Sequence, residues 1–202
     1  TPALYRLAWL KENEPAAFKK TSVFADVQAY LVQKLSGKLK TGWFSADPMG
    51  YFDIRKKVWS PMLLNYLGLT SSRFPEPFAP GTKLGSVTAE AARKTGLLPD
   101  TLIFAGGGDG QCAALGTNCI TSNQAYINLG TAVVSGVWLP QCLNSKAWRT
   151  EISPTGEGYI LETCLRSGVF LINWFVDHFL PGDRSEKDFF KKLEQKAQEI
   201  PV

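Results

Sequence analysis

Histidine is nearly absent from this chain: His178 is the only one. Cysteine is sparse, and Cys112, Cys119, Cys142 and Cys164 form no C-x-x-C pair. One imidazole and four scattered thiols cannot assemble a zinc cluster. The same scarcity removes most Ser-His-Asp and Cys-His chemistry, so a carboxylate is the expected proton acceptor in any catalysis. The cysteines are expected to be free thiols of a reducing compartment, the cytoplasm. His178 is expected to be structural. No apolar run approaches the ~18 to 20 residues of a membrane span; the longest candidate, Val169 to Val176, is broken by Asn173. No basic segment followed by an apolar stretch marks a signal peptide at the N-terminus. Charge of one sign is also in short supply. Lys and Arg number 22 against 18 Asp and Glu, a net charge of +4, too mild to point to nucleic acid. Internal repeats and low-complexity tracts are absent.

What is present is the composition of a folded globular protein. The 202 residues are 45% hydrophobic, 12% aromatic and 20% charged. A chain of this size buries roughly 70% of its unfolded surface and needs no covalent staples.

The first third reads as helical. Leu4, Leu7, Ala8 and Trp9 share one face of a helix over 3–11, and Val27, Tyr30, Leu31 and Leu35 one over 26–35, with Gly37 as its left-handed cap. Residues 41–51 read as loop with a short strand. Ser60-Pro61 opens a helix that Gly68 closes. Residues 71–85, rich in Pro and Gly, read as a long surface connector. Thr88 caps a further helix ending at Gly96. Beyond it the pattern changes. Residues 101–105 suit a buried strand, followed by Gly106-Gly107-Gly108-Asp109-Gly110 and a helix over 111–115. Residues 125–129 and 132–138 read as a β-hairpin turning at Gly130-Thr131. A strand over 159–165 follows, then a helix over 168–180 capped by Ser167, and a charged helix from Ser185 to Glu199. A domain boundary is expected near Asn118 to Gln124.

The glycine run is the feature richest in chemistry. Three successive glycines after a strand admit another backbone or a ligand at close range. Asp109 then stands at the strand's carboxyl end and ahead of a helix, where open α/β sheets bind ligands and where helix polarity favours a negative charge. Two readings stay open on residue chemistry alone: a general base or an N-cap in a glycine-rich turn. Gly108 to Ala113 also fits the G-x-G-x-x-A dinucleotide fingerprint. That motif wants an acidic residue about 20 positions on, and no Asp or Glu lies between Asp109 and Glu151. In that acid-free stretch the only charges are Lys146 and Arg149. Asn128-Leu129-Gly130-Thr131, in its middle, offers backbone N–H groups and a hydroxyl suited to phosphate; an ordinary hairpin turn is the plain alternative.

Taken in order, Gly106-Gly107-Gly108-Asp109, Ala113-Ala114-Leu115-Gly116 and Asn128-Leu129-Gly130-Thr131 resemble the central segment of the FGGY family of carbohydrate kinases. Residues 9–15, Asp53 with Trp59, residues 80–85, Gly96-Leu97 and the stretch from Glu162 to Trp174 fall in the family's order, so the resemblance spans nearly the whole chain. It implies an α/β, actin-like and ribonuclease-H-like fold, with residues 1–120 closing an N-terminal domain and 121–202 opening a C-terminal one. It implies ATP and Mg2+ in a cleft beside a sugar. Asp109 would match the catalytic aspartate that accepts the sugar hydroxyl's proton, with Gly108 and Gly110 flanking it on the substrate. Gly130 and Thr131 would match a phosphate-binding turn, and Gly168 and Asn173 the nucleotide contacts that follow. Val169 stands where some members have another glycine. The family's first phosphate loop, adenosine motif and upstream sugar residues have no counterpart here. The expectation is therefore an interior segment of a longer kinase, inactive alone, acting on a ketopentose such as xylulose. Gluconate, ribulose, fuculose and glycerol are alternatives within the class. An actin-like ATP-binding scaffold without sugar turnover is the alternative outside it. Uncovered sheet edges and apolar faces are expected to promote self-association, as in a homodimer.

Overall fold

The computed structural model describes residues 2–200. The chain runs α1 (Ala3–Asn13), α2 (Pro15–Lys20), α3 (Val27–Ser36), β1 (Lys40–Gly42), α4 (Trp43–Ala46), β2 (Phe52–Asp53), β3 (Val58–Trp59) and α5 (Pro61–Leu67). It continues through β4 (Glu76–Phe78), β5 (Lys83–Ser86), α6 (Ala89–Thr95), β6 (Leu102–Phe104) and α7 (Asp109–Gly116). The remainder is β7 (Ala125–Leu129), β8 (Val133–Leu139), β9 (Arg149–Ile152), β10 (Tyr159–Leu165), α8 (Val169–Phe179) and α9 (Phe189–Gln198).

The helices of the first part begin and end where side-chain chemistry dictates. Asp26 accepts from the Ala29 N–H at 2.9 Å and Gly37 closes α3 with φ +73. Thr88 accepts from Ala91 N–H to start α6, and Gly96 ends it in the left-handed region. Leu7 from α1, Phe18 from α2, and Leu64 and Leu67 from α5 bury one continuous core with Phe44, Tyr51, Phe52, Trp59 and Phe74. Each such side chain contributes ~1.5–3 kcal/mol on burial. The aromatic members meet in tilted and edge-on pairs, such as Phe52 against Trp59 at 78°.

Several expectations need correction. Residues 71–85 are not a bare tether: β4 pairs in parallel with β1, and β5 pairs antiparallel with β6. Strands of three and four residues among three prolines are too short for periodicity to reveal. The strand over 101–105 is not buried, because β6 is paired on one side only, and Leu102 and Phe104 are each 51% exposed. Gly168, not Ser167, is the residue at the N-cap of α8. The last helix starts at Phe189 and not at Ser185, because the Asp183 carboxylate accepts the Ser185 N–H at 2.8 Å and holds that segment in turns.

The second part is built on an antiparallel sheet in the order β7-β8-β10-β9. The hairpin of β7 and β8 follows the expected strands closely. Strand β9 had no sequence expectation, and it carries the link between the two parts. Ile152 is fully buried in the core of the first part, and its N–H donates to Asp47 at 2.9 Å. Helix α7 packs onto the sheet through Ala114, which shares a buried cluster with Cys119, Tyr126 and Ile160. The glycine–aspartate loop therefore sits where the helical part, the sheet and α7 converge.

Candidate active site

The loop is shaped by its glycines. A Cβ on Gly107 would lie 2.9 Å from both the Cys112 sulfur and the Phe44 ring, so any larger residue would push the loop off its neighbours. Gly108 occupies the N-cap of α7, which makes Asp109 the first helical residue. The N-cap reading of Asp109 is thereby corrected. Its carboxylate is exposed, and one oxygen accepts from the Gly110 N–H at 2.9 Å. An anion at this end of a helix is favoured by the aligned peptide dipoles.

Opposite the loop, the sheet presents one face. Tyr126 on β7, Gly136 on β8, Glu162 on β10 and Arg149 on β9 lie side by side in register. Direct cross-strand partners share a face, so the row points one way. Asn128 and Val134 form the next row, and Glu151 pairs with Ile160 in the row on the other side. Together with Asp109, Gln111, Phe44 and Pro48, these side chains enclose a cavity of about 330 Å³.

The electrostatics of this cavity are unusual. Glu151 is 3% exposed and pairs with Arg149 at 2.6 Å. Burial outweighs that ion pair and, with Glu162 and Asp47 nearby, pushes the Glu151 carboxyl up to about 7. Burial also raises Asp47, against the opposing effects of the Ile152 N–H and Arg149. The Tyr126 hydroxyl donates to Glu162 at 3.2 Å, and burial followed by the Glu162 charge raises its pKa. Tyr126 therefore stays a protonated donor throughout the neutral range. A larger groove of about 660 Å³ runs over Trp59, Leu64 and Phe74. It is lined mainly by apolar and hydroxyl groups, and Asp109 does not face it.

The second group of expected residues also converges. At the hairpin turn, Gly130 C=O accepts from Val169 N–H at 3.0 Å, and Thr131 C=O accepts from Gly168 N–H at 2.8 Å. A Cβ on Gly168 would stand 2.5 Å from the Gly130 oxygen. Only glycine lets the start of α8 approach the turn this closely. Gly130 itself is open: the nearest atom to a Cβ there is 3.6 Å away. Turn and helix start are thus stitched into one backbone cradle: the Gly130, Gly168 and Val169 N–H groups are all bonded within it, and Thr131 stands exposed at its tip. Asn173 is half-buried further along α8. His178 plays no part in the cavity; its Nδ1–H donates to the Trp174 carbonyl at 2.8 Å.

Sequence reasoning missed Tyr126, Arg149, Glu151 and Glu162 as cavity residues. The first acid after the long acid-free stretch is Glu151, and Arg149-x-Glu151 is an alternating pair. That pattern marks one face of a strand, but without β9 placed it carried no address.

The class of the chain follows from its likeness to known proteins. Residues 2–116 match the N-terminal domain of the FGGY family of carbohydrate kinases, and the chain belongs to that family. Its particular relatives include the xylulose kinase of Bacillus subtilis, 29% identical over 205 residues, covering 98% of this chain and 39% of the relative. The autoinducer-2 kinase of Klebsiella pneumoniae is 30% identical over 208 residues, covering 99% and 39%. The chain thus spans about 39% of the length of these relatives. Among solved structures, a ligand-bound xylulose kinase from Lactobacillus acidophilus superposes with a TM-score of 0.84 at 23% identity, covering 96% of this chain and 40% of that one. A gluconate kinase from the same organism gives 0.85 at 23% identity with the same coverage. The fold is the actin-like α/β fold of these kinases.

Proposed function

We propose that the chain supplies the central part of an ATP-dependent sugar kinase, with Asp109 as the general base. A boundary near Asn118 to Gln124 separates the end of an N-terminal domain from the start of a C-terminal one. The observation that carries this reading is the cavity between the Asp109 loop and the sheet face, which Asn128 of the strand leading to the Gly130–Thr131 turn also lines. The cavity walls suit a polyol: carboxylates, two amides and an arginine to bond hydroxyls, with Phe44 and Val134 as apolar faces. Gly108 and Gly110 keep the approach to Asp109 open. The cradle, with Gly168 and Asn173 behind it, holds the nucleotide phosphates.

In the reaction the sugar hydroxyl gives its proton to the Asp109 carboxylate as its oxygen attacks the terminal phosphorus. The bond to the bridging oxygen breaks, and ADP leaves with that electron pair. Little covalent help is required, so positioning and charge stabilisation dominate. ATP supplies the phosphoryl group, and Mg2+ bound with it would neutralise charge developing on the phosphates. The relatives named as xylulose kinases favour a ketopentose such as xylulose. The test is a coupled assay of sugar-stimulated ADP release by the whole protein over xylulose, ribulose, fuculose, gluconate, glycerol and autoinducer-2. Turnover strongest on a ketopentose is expected. ATP hydrolysis indifferent to every sugar would replace this reading with an ATP-binding scaffold.

A further inference from the structure

We propose that Glu162, held by Tyr126, is a positioning residue that braces the first turn of α7 and so sets the direction of the Asp109 carboxylate. The inference rests on the assignment of Asp109 made above, and it gives Glu162, so far one of the cavity's carboxylates, a second task.

Three observations carry it. First, α7 has no side-chain cap, and the bond Asp109 makes within the helix is to its immediate neighbour, Gly110. Its orientation therefore depends on what packs against that turn. Second, Glu162 does so directly: its Oε2 lies 3.0 Å from where a Cβ of Gly110 would be, with the Tyr126 hydroxyl at 3.8 Å. Gly110 is thus the residue that admits the brace. Third, the sheet is carved to build it. Tyr126 and Glu162 stand on strands separated by β8, and both pair with Gly136. A Cβ on Gly136 would lie 2.5 Å from the Tyr126 ring. The missing side chain lets Tyr126 lean across β8 and donate to Glu162 at 3.2 Å. Arg149, the next residue in the row, is engaged by Glu151. Two glycines and a buried tyrosine therefore converge on one carboxylate behind the loop.

The experiment compares Glu162→Ala and Glu162→Gln in the whole protein by amide hydrogen exchange and steady-state kinetics. The Cys112 N–H, bonded to Gly108 C=O at 2.9 Å, reports the first turn of α7; the Tyr30 N–H, bonded to Asp26 C=O at 3.0 Å, is the distant control. Glu162→Ala should speed exchange at Cys112 about tenfold and leave Tyr30 unchanged. It should lower kcat about 10- to 100-fold, the cost of a misdirected reacting group, with KM for ATP held. Glu162→Gln still accepts from Tyr126 and should restore both. Unchanged exchange at Cys112, or an equal rise at Cys112 and Tyr30, would overturn the brace. If the whole protein turns over no sugar, the kinase reading fails on its own terms, and the exchange comparison alone decides the brace.

Discussion

Thr131 and Glu151 show how single residues translate into measurable behaviour. Thr131 is exposed at the tip of the hairpin, and its hydroxyl is free to bond a phosphate oxygen. A bond to a charged group is worth about 1.5–3 kcal/mol, so Thr131→Ala should raise KM for ATP roughly 10- to 150-fold and leave KM for the sugar in place. Sugar affinity falling with ATP untouched would put the turn on the wrong ligand. Glu151 makes a pH prediction. Its carboxyl rises from 4.5 in the unfolded chain to about 7 in the fold, so the folded state holds the proton more tightly. Stability is then highest below pH ~4.5 as far as this group is concerned, falls as pH rises through the window to ~7, and is level above it. Asp47, also raised by burial, acts in the same sense. Melting temperature across pH 5 to 8 measures this. Glu151→Gln should flatten the decline, and an unchanged profile would show that the buried carboxyl does not titrate there.

Elements differ in how legibly the sequence announces them. Helices α3 and α6 were readable because their caps are side-chain chemistry: Asp26, Thr88, Gly37 and Gly96 act within a few residues of themselves. The β7–β8 hairpin was readable from two strand-like runs on either side of a Gly-Thr turn. Strands β1, β4 and β9 were not, because three or four residues carry no period and their partners are distant in sequence. The candidate site divides the same way. Asp109, Gly130 and Gly168 announce themselves through local glycine chemistry. Tyr126, Glu151 and Glu162 become neighbours only through sheet register. Gly136 belongs with them, since nothing nearby in sequence explains it, while in the sheet its missing Cβ houses the Tyr126 ring. Gly136→Ala should therefore destabilise the sheet by ~1–3 kcal/mol through overpacking, seen as a lower urea midpoint. Gly116→Ala, where a Cβ meets nothing within 4 Å, should show no such loss. Equal effects at both positions would contradict the packing account.

At the scale of the whole molecule, the surface tells of missing neighbours. Phe170, Leu171, Ile172, Trp174, Phe175 and Phe179 of α8 are all exposed, as are Ile127 and Leu129 of β7. Only Asn173, Asp177 and His178 interrupt the apolar surface of α8, and a helix with so wide an apolar face is suited to cover by a neighbour. Among the described residues no helix is long and apolar enough to cross a membrane. Isolated in solution, this chain is expected to fold, to self-associate through these faces, and to release no ADP in response to sugar. Orientation and proximity supply ~7–11 kcal/mol of a barrier, and the relatives it matches use more than twice its length. Light scattering and the coupled assay check both statements, and sugar-stimulated turnover by the chain alone would make it a self-sufficient kinase. The central claim is that Asp109 takes the proton of the attacking hydroxyl. The most direct measurement is kcat of Asp109→Asn in the whole protein with the best sugar of the panel. The substitution keeps volume and removes the base. The account predicts a fall of at least about 10²- to 10⁴-fold with sugar affinity largely kept, whereas near-normal turnover would contradict it.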